Sequence, residues 1–587
     1  MVKVVAAVVA LAGLGCLATA PPETGKPIVQ FPSPARLAAV EAKSAALPPV
    51  TSGEVPPEGW SVEPPAPAPA PDPASSGWAP RGVWEETFAA AYTASGRKAA
   101  LTRQMACAAG ELGRFYLEKH AAPPEPLQRF VTAACGIHVP GVGYQYLTGT
   151  IPDRVADERA LPPWKDDIGA RMVGRLPADA KHAGFWFGRH NGHAVALMAF
   201  ESAPVELAPF SPVPNFNGDV SVEGRFEGDV AFFDGYVNQG RFGVHDCLVD
   251  PSVPRPRFRV SCRMAADDET AWIEIVYAPH GSVLAQPIVQ VLARRDVRKP
   301  LVYTETPHAP SRPVKDVAAF GPAVIEGLNA TRAEAGLTPV RLADAQSAAA
   351  ARLARQYFAA ALGKTGVGDL APGALDDMNT IALGLLAGWQ VTGTIRDGTF
   401  FSAVVPRTRD AGRWVDSALA MPLGRHALMA SDIDEVALGS ALFDDPAIGA
   451  VACGYRFVRG NDHTADVNRL RERIATARQR VGLPPPVPLR GMDAVLSREL
   501  ARVQQGTWTP MTALKASLQE ASDRFSASMR GIVVEATSLD ALEIPPEVLK
   551  QANLQIEVGV THYKPPGAAW AQLVIIVVYA STHGVSI

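Results

Sequence analysis

Two helices joined by a tight corner are predicted by residues Leu328 to Leu362, LNATRAEAGLTPVRLADAQSAAAARLARQYFAAAL. The rest of the fold prediction starts from this stretch. The first run ends at Gly336, the residue type best suited to the left-handed conformation after a helix, and Pro339 prevents it from resuming. Asp344 is a suitable N-cap for the second helix. Apolar residues at helical spacing predict one buried face on that helix: Ala350, Leu353, Ala354, Tyr357, Phe358, Ala361 and Leu362.

Five residues of this stretch resemble the opening of a bacterial CAP domain, the family of cysteine-rich secretory proteins, antigen 5 and plant pathogenesis-related proteins: Asn329, Arg332, Gly336, Leu337 and Pro339. A later stretch, MPLGRHALMASDIDEVALGSAL, resembles the second signature of that family. His426, Glu435 and Gly439 stand at the corresponding places. We therefore expect a CAP domain, an α-β-α sandwich, at residues 312–460.

The corner occurs a second time, displaced by 146 residues: Arg478, Gly482, Leu483 and Pro485 correspond to Arg332, Gly336, Leu337 and Pro339. Asp493 then precedes a stretch with an amphipathic stripe, which predicts a helix. The chain closes with QIEVGVTHYKPPGAAWAQLVIIVVYA, Gln555 to Ala580, which predicts a terminal hairpin containing His562. We expect a second, shortened CAP-like domain at residues 464–585.

The resemblance implies a cleft lined by two histidines and two glutamates that can hold a divalent cation such as zinc. This sequence keeps part of that set, since no histidine lies between His308 and His426 and no glutamate between Glu334 and Glu435. Asn379 stands where the family has a glutamate. The candidate ligand-binding residues are His426, Asn379 and Glu435, with no metal, no cofactor and no catalytic residue expected. The alternative for His426 is a partly buried cleft histidine whose polar atoms are satisfied within the protein. Glu435, at the start of a strand, is expected to face solvent.

Residues 1–20 have the features of a signal peptide, with Lys3 before an apolar run from Val4 to Leu14 that is too short to span a bilayer. Two processing positions remain open. Ala18-Thr19-Ala20 fits an A-x-A cleavage site, whereas Gly15-Cys16 resembles a bacterial lipoprotein junction in which Cys16 is lipidated. The second alternative predicts a lipoprotein of the outer membrane or cell envelope, and the first a secreted protein.

A region rich in proline and alanine follows at residues 21–82 and includes EPPAPAPAPDP, Glu63 to Pro73. Such a composition favours an extended conformation and forms no packed core, so it predicts a disordered stalk. A short helix is expected within it at Ala35 to Ala45.

Residues 83–203 predict a divergent α+β unit with an amphipathic helix, a second helix and a hairpin about Asn191-Gly192. It is either a third CAP-like copy or an unrelated α+β domain. His190 and His193 flank the predicted turn, and with His182 they form a candidate surface metal patch; ordinary polar turn residues are the alternative.

Residues 204–300 contain short β-rich runs at roughly ten-residue spacing, which predict an antiparallel, immunoglobulin-like β-sandwich. Export permits disulfides, and two pairs lie close enough in sequence: Cys247 with Cys262, and Cys107 with Cys135. Cys453 then remains as a buried thiol. The series His245-Asp246-Cys247 offers an alternative role for Cys247 as a nucleophile.

The predicted fold class is therefore multidomain α+β, with CAP-like units and one β-sandwich. The formal net charge of −4 provides no long-range attraction to phosphate backbones, so no nucleic-acid partner is expected. We expect a non-catalytic binding module for a glycan, lipid or protein, anchored to the membrane by a lipid. The alternatives are a hydrolase of peptide or cell-wall material and a structural envelope spacer.

Overall fold

The structure is a computed structural model that describes residues 3–6, 14–16, 34–45 and 78–581, except 280–283, 297–298, 300, 304–306, 363–372, 389–390, 392–394, 407, 444–446, 458–462, 526–528, 537–543, 545–547, 550–552 and 564–571. The chain divides into a larger unit of residues 1–16, 34–382 and 400–454, and a smaller unit of residues 17–33, 383–399 and 455–587. Among the described residues, no helix combines the length and apolar character needed to cross a membrane. Residues 46–77 of the predicted stalk and the A-x-A site lie outside the described residues.

The larger unit begins with two short strands and a helix: β1 (Lys3–Ala6), β2 (Leu14–Cys16) and α1 (Pro34–Ala45). An α+β region follows: α2 (Val83–Ser95), β3 (Ala100–Leu101), α3 (Arg103–Lys119), α4 (Glu125–Ala134), β4 (Gly143–Thr150), α5 (Asp157–Ala160), α6 (Pro162–Asp167), a π-helical turn (Ile168–Met172), a 3-10 turn (Val173–Arg175), β5 (His182–His190) and β6 (His193–Glu201). β5 and β6 form the hairpin that Asn191-Gly192 predicts. The φ angles of these two residues, 52° and 77°, are those of a type I′ turn.

Eight strands come next: β7 (Val205–Leu207), β8 (Asp219–Phe226), β9 (Val230–Gln239), β10 (Gly243–Asp246), β11 (Leu248–Val249), β12 (Arg257–Arg263), β13 (Thr270–Pro279) and β14 (Gln286–Arg294). They form two four-stranded sheets, β10-β9-β13-β14 and β11-β12-β8-β7. Alternate residues of both sheets share one core, in which Val222 and Val260 belong to one sheet and Ile275 and Val289 to the other. We call residues 205–294 the two-sheet region.

The corner predicted at Gly336 lies in the next set of elements: α7 (Val317–Glu334), β15 (Arg341–Leu342), α8 (Asp344–Leu362), α9 (Ala374–Ala387), β16 (Ile395–Pro406), α10 (Ala411–Leu419), α11 (Pro422–Leu428), β17 (Glu435–Phe443) and β18 (Ala447–Phe457). α7 is eleven residues longer at its start than the predicted run. Gly321, Pro322 and Gly327 interrupt its apolar pattern, yet the close approach of Leu342 to Gly321 shows that this segment is packed.

The second predicted corner lies among the remaining elements, between the first two of them: α12 (Thr464–Arg480), β19 (Val487–Pro488), α13 (Met492–Gln504), α14 (Pro510–Arg524), β20 (Met529–Ala536), β21 (Leu554–Tyr563) and β22 (Gln572–Ser581). Gly336 and Gly482 have φ angles of 72° and 77°, the left-handed conformation expected at both corners. The prediction that Asp493 precedes its helix is wrong, since α13 begins at Met492. Gly491, with φ of 86°, occupies the N-cap position there.

One strand order occurs in three sheets: β3-β5-β6-β4, β15-β17-β18-β16 and β19-β21-β22-β20. In each, a two-residue strand between two helices runs parallel to the first strand of the final hairpin. β1 and β2 add an edge strand to the first and second of these sheets. The sheets confirm a mixed α and β fold with several small antiparallel sheets.

The prediction of a disordered stalk is wrong at residues 34–45, because these residues form helix α1 and pack against α8 and α9 of the larger unit. Val40 is only 3% exposed. Arg352 Nε forms an ion pair with a carboxylate oxygen of Glu41 at 2.6 Å, and Lys43 Nζ lies 2.8 Å from a carboxylate oxygen of Asp377. A helix with a buried apolar residue and ion pairs on its flank is a docked element, so residues 34–45 are not part of a disordered tether.

Candidate functional site

His426, the first of the three expected ligand-binding residues, lies on the short helix α11. Pro422 opens this helix at its first position, where a missing N–H is no loss. The imidazole of His426 packs against the ring of Tyr236 on β9, with 4.7 Å between the ring centres. Its Nδ1 lies 3.8 Å from an oxygen of Asp246 on β10, and 27% of the side chain is exposed. The two-sheet region therefore forms one wall of the site around His426.

A second carboxylate belongs to this group. Asp234 accepts a hydrogen bond from the backbone N–H of Gly235 at 2.8 Å, and the Tyr236 hydroxyl lies 3.5 Å from its other oxygen. Burial raises the pKa of Asp234 to about 6, and the charge of Asp246 adds to this rise. Burial and the nearby carboxylates also hold the pKa of Tyr236 well above its usual value. Asp234 is consequently a carboxyl group that exchanges its proton close to neutral pH.

Buried polar contacts fix α11 against the two-sheet region. Arg425 donates Nε to the carbonyl of Leu419 at 2.7 Å and a terminal nitrogen to the carbonyls of Gly240 and Gly243 at 2.9 and 3.1 Å. Burial lowers the pKa of Arg425 to about 10, so the guanidinium remains charged at neutral pH. Because Gly240 lies in the β9–β10 turn and Gly243 begins β10, the arginine holds the strand pair that carries Tyr236 and Asp246.

A buried carboxylate makes a second such contact. Glu274 on β13 is 1% exposed, accepts the backbone N–H of Leu423 at 3.0 Å and accepts a side-chain N–H of Gln290 at 2.8 Å. Burial raises the pKa of Glu274. The carboxylate satisfies one of the N–H groups that the first turn of α11 leaves without an intrahelical partner.

His308 lies near the same helix and has a different electrostatic environment. Its Nε2 is 3.4 Å from a guanidinium nitrogen of Arg425, and its backbone N–H donates to Asp416 at 2.5 Å. Burial and the charges of Arg425 and Arg241 lower the pKa of His308 to about 4. The ring is therefore neutral at physiological pH and can accept a hydrogen bond from Arg425.

Asn379 and Glu435 have different surroundings from His426. Asn379 lies half-buried on α9. Glu435 is paired with Arg341 at 2.9 Å and only 17% of its side chain is exposed, so the expectation that it faces solvent is wrong. The strand pair β15–β17 places Arg341 directly beside Glu435, which explains the ion pair. The contacts described for Glu435 belong to a sheet edge, and those described for His426 belong to the two-sheet region.

Two disulfides cross-link the larger unit, Cys107–Cys135 and Cys247–Cys262. The sulfur of Cys247 is bonded to Cys262, so it is not available as the nucleophile of a His245-Asp246-Cys247 group. Cys453 is fully buried in β18.

The histidines of the β5–β6 hairpin do not form the three-residue patch considered from sequence. His182 stands eight residues from His190 along an extended strand, about 26 Å at ~3.3 Å per residue. Its imidazole pairs with Glu201. At the other end of the hairpin, His193 contacts His120, with 4.4 Å between the ring centres. Within the described part of the chain, no three His, Cys, Asp or Glu side chains are grouped so as to hold a metal ion.

The smaller unit contains a histidine pair that sequence reasoning missed. His562 on β21 is 6% exposed, and its ring centre lies 4.8 Å from that of His463. His463 precedes α12 and lies 3.4 Å from an oxygen of Asp466. Because the predicted domain began at residue 464, His463 fell outside it. Asp234 of the larger unit was also missed from the sequence. The available signal was an acidic residue within the apolar run Phe232 to Val237.

Comparison with known proteins adds a distant structural similarity. A crystal structure of a cysteine-rich secretory protein from Staphylococcus aureus subsp. aureus Mu50 is similar with a TM-score of 0.17 and 14% sequence identity, over 43% of this chain and 86% of that chain. Neither a comparison with family models nor one with curated proteins finds a match.

Proposed function

We propose that this chain is an exported CAP-like binding protein of the bacterial cell envelope. It binds a glycan, lipid or protein ligand and does not catalyse a reaction. The two CAP-like signatures and the repeated corner support the family relation. The common strand order of three sheets supports three related units, at residues 83–203, 312–460 and 464–585. The two-sheet region is the proposed immunoglobulin-like sandwich between the first two.

The position of His426 is the observation that carries the non-catalytic proposal. Its ring contacts that of Tyr236 in a tilted arrangement, and its Nδ1 lies 3.8 Å from an oxygen of Asp246 in the two-sheet region. Arg425 and Leu423, on the same helix, make buried hydrogen bonds to that region. These contacts account for His426 as a packing residue of a fixed helix. Asn379 and Glu435 remain candidate ligand contacts in this proposal.

Export and anchoring rest on the first sixteen residues. Lys3 and the apolar run support a secretory signal, and Cys16 supports a lipid anchor. The strands of this segment, β1 and β2, are edge strands. Cleavage before Cys16 removes β1 and the first two residues of β2, so the four strands that the three sheets share do not depend on the removed segment.

One experiment tests binding against catalysis. The purified full chain, a His426→Ala variant and a His190→Ala control are sedimented with purified peptidoglycan and with phosphatidylglycerol vesicles. Peptide and sugar release and zinc content are measured in parallel. We expect binding to at least one probe, with at most about tenfold weakening in His426→Ala because the lost ring contact with Tyr236 is worth ~1 kcal/mol. Absence of binding to both probes, or zinc or hydrolysis that disappears only in His426→Ala, would overturn the proposal.

A hydrolase is the second candidate, and the acid-base group around Tyr236 favours it. Asp246 and His426 form a carboxylate–imidazole pair at 3.8 Å, and Asp234 has a pKa of about 6. Such groups suit proton transfer near neutral pH. If this candidate is correct, peptidoglycan hydrolysis must disappear in Asp246→Asn as well as in His426→Ala, whereas sedimentation with peptidoglycan must persist in both variants.

A further inference from the structure

The corner after α12 exposes a run of apolar residues. The chain continues there as VGLPPPVPLR, Val481 to Arg490, and passes through β19, an edge strand of its sheet. Val481 and Val487 are each 57% exposed, which places them among the most exposed large apolar side chains of the described residues. Most of this segment therefore presents its side chains to solvent rather than to the core of the smaller unit.

The corner after α7 has a different composition at the corresponding positions. Where the second corner has Pro484 and Val487, the first has Thr338 and Arg341, displaced by 146 residues. The first corner also forms with one proline, Pro339, where the second has four. Since both corners form the same turn, neither the additional prolines nor the exposed valine is needed for it.

The prolines of the second corner fix an extended backbone. A proline sets its own φ at about −65°, and the residue before a proline is confined to the extended region. At least one of these restrictions applies to every residue from Leu483 to Pro488, because prolines stand at four of the six positions: Pro484, Pro485, Pro486 and Pro488. Local sterics therefore favour a polyproline II helix over this segment.

Burial along the segment has the period of such a helix. Leu483 and Pro486 are partly buried and Leu489 is 2% exposed, whereas the residues between them are exposed. A polyproline II helix has about three residues per turn, so one face packs on the smaller unit and two faces are open to solvent. Hydrogen bonds hold the inner face in place, from the N–H of Leu483 to the carbonyl of Arg478 and from the N–H of Leu489 to that of Ile556.

The two open faces carry a regular pattern of side chains. Pro485 and Pro488 are one turn apart on one face, and Pro484 and Val487 are one turn apart on the other. Arg490 follows Pro488 by two residues and is exposed. The segment thus reads P-x-x-P-x-R from Pro485 to Arg490, an apolar ridge with a cation at one end. We call residues 483–490 the proline ridge.

From this pattern we propose that the proline ridge is a docking site for a partner protein domain whose groove is lined by aromatic side chains and has a carboxylate at one end. Aromatic grooves bind polyproline II segments because the conformation of the segment is already fixed and little entropy is lost on binding. The exposed proline and valine side chains fit between the flat rings. The guanidinium of Arg490 pairs with the carboxylate.

This groove chemistry is that of SH3 domains, so an SH3 domain is the probe. The purified full chain is titrated by calorimetry with a purified SH3 domain that binds P-x-x-P-x-R peptides. The titration is repeated in the presence of one such peptide in excess, because a peptide that fills the groove must displace the chain if the chain uses the same groove.

Three variants locate the binding surface. Pro485→Ala/Pro488→Ala removes one open face of the proline ridge, and Arg490→Glu reverses the charge at its end. Pro339→Ala is the matched control, because it removes an exposed proline at the corresponding place of the first corner.

We expect the wild type to bind the SH3 domain and the peptide to displace it. The double proline variant should lose at least about tenfold in affinity, because it lacks both anchors of one face and its free backbone has more freedom to lose. Arg490→Glu should lose at least about tenfold, because an attraction to the carboxylate becomes a repulsion. Pro339→Ala should equal the wild type. Since Arg490 is exposed, its replacement keeps the test decisive if the double proline variant folds poorly.

Three results would overturn the proposal: no binding of the SH3 domain by the wild type, binding that the peptide does not displace, or equal binding by the wild type, the double proline variant and Arg490→Glu. Such a failure leaves the CAP-like binding role untouched, because that role is tested through His426 with peptidoglycan and vesicles.

Discussion

Arg332 and Arg478 make equivalent hydrogen bonds at two helix corners, one after α7 and one after α12. Each donates Nε to the carbonyl six residues later, Thr338 and Pro484 respectively, at 2.9 Å in both. Both side chains are fully buried. A buried guanidinium is stable only when hydrogen bonds replace its hydration, and the turned backbone supplies carbonyls for this purpose. The arginine four residues before the corner glycine therefore holds the corner together.

In the first α+β region a tyrosine makes the equivalent corner hydrogen bond. Tyr92 stands four residues before Gly96, whose φ of 66° marks the end of α2. Its hydroxyl donates to the carbonyl of Ala99 at 2.5 Å. A polar side chain at one position thus bonds the corner carbonyl in all three regions. Together with the strand order, this supports three copies of one architecture.

Replacing Arg332 by Met is expected to lower the free energy of unfolding by about 3 kcal/mol, because backbone carbonyls lose a charged donor. Besides Thr338, these are the carbonyls of Leu428 and Ala430. Urea unfolding of the larger unit measures the change. Arg341→Met is the control, since 76% of that side chain is exposed and its ion pair is worth about 0–1 kcal/mol. Equal losses in the two variants would contradict a structural role for the buried arginine.

Asp234→Asn should stabilise the larger unit at neutral pH. The pKa of Asp234 rises from 3.8 to about 6 on folding, so its contribution to stability is full below pH 3.8 and is lost as pH rises through about 6. The variant should gain about 3 kcal/mol at pH 7.5 and little at pH 3.5. Thermal unfolding at the two pH values provides the measurement.

Asp250→Asn serves as the contrast for that experiment. Hydrogen bonds from Ser252 and Arg259 lower the pKa of Asp250, so its ionised form is favoured in the folded protein. No stabilisation is expected from that change at pH 7.5. A similar gain in both variants would show that general charge reduction, rather than the burial of Asp234, is responsible.

Val40→Asp should release α1 from the larger unit. A charged residue in place of a side chain that is 3% exposed removes ~1.5–3 kcal/mol of apolar burial. Trypsin should then cleave after Arg36 and Lys43 at least about tenfold faster, as each 1.4 kcal/mol is worth about tenfold in the open population. Ala39→Asp, at an exposed position, is the matched control. Unchanged cleavage in Val40→Asp would show that α1 docks without this residue.

Cys16→Ser should move the protein from the membrane fraction to the soluble fraction if the thiol is acylated, because the protein then lacks its lipid chain. Fractionation followed by immunoblotting measures the shift, with Cys453→Ser as a control that leaves the leader intact. Mass spectrometry provides an independent readout. A mature N-terminus at Pro21 would establish cleavage after Ala20 and rule out anchoring through Cys16.

Local backbone preferences made several features of the fold predictable from the sequence. Gly336 and Gly482 take the left-handed conformation at the predicted corners, and Asn191-Gly192 forms the predicted hairpin turn. These features depend on a few adjacent residues whose conformational preferences are strong. The amphipathic face of α8 was predictable for the same reason, since its spacing records which side is buried.

Contacts between residues distant in sequence could not be predicted and depend on how the whole chain packs. The pairing of His426 with Tyr236 and Asp246 joins segments about 180 residues apart, and neither segment contains a local pattern that specifies the other. The docking of α1, the ion pair of Glu435 with Arg341 and the shared strand order likewise arise from packing across the chain. A side chain's burial and charge depend on which surfaces meet, and that choice is made by the free energy of the whole fold rather than by the residues beside it.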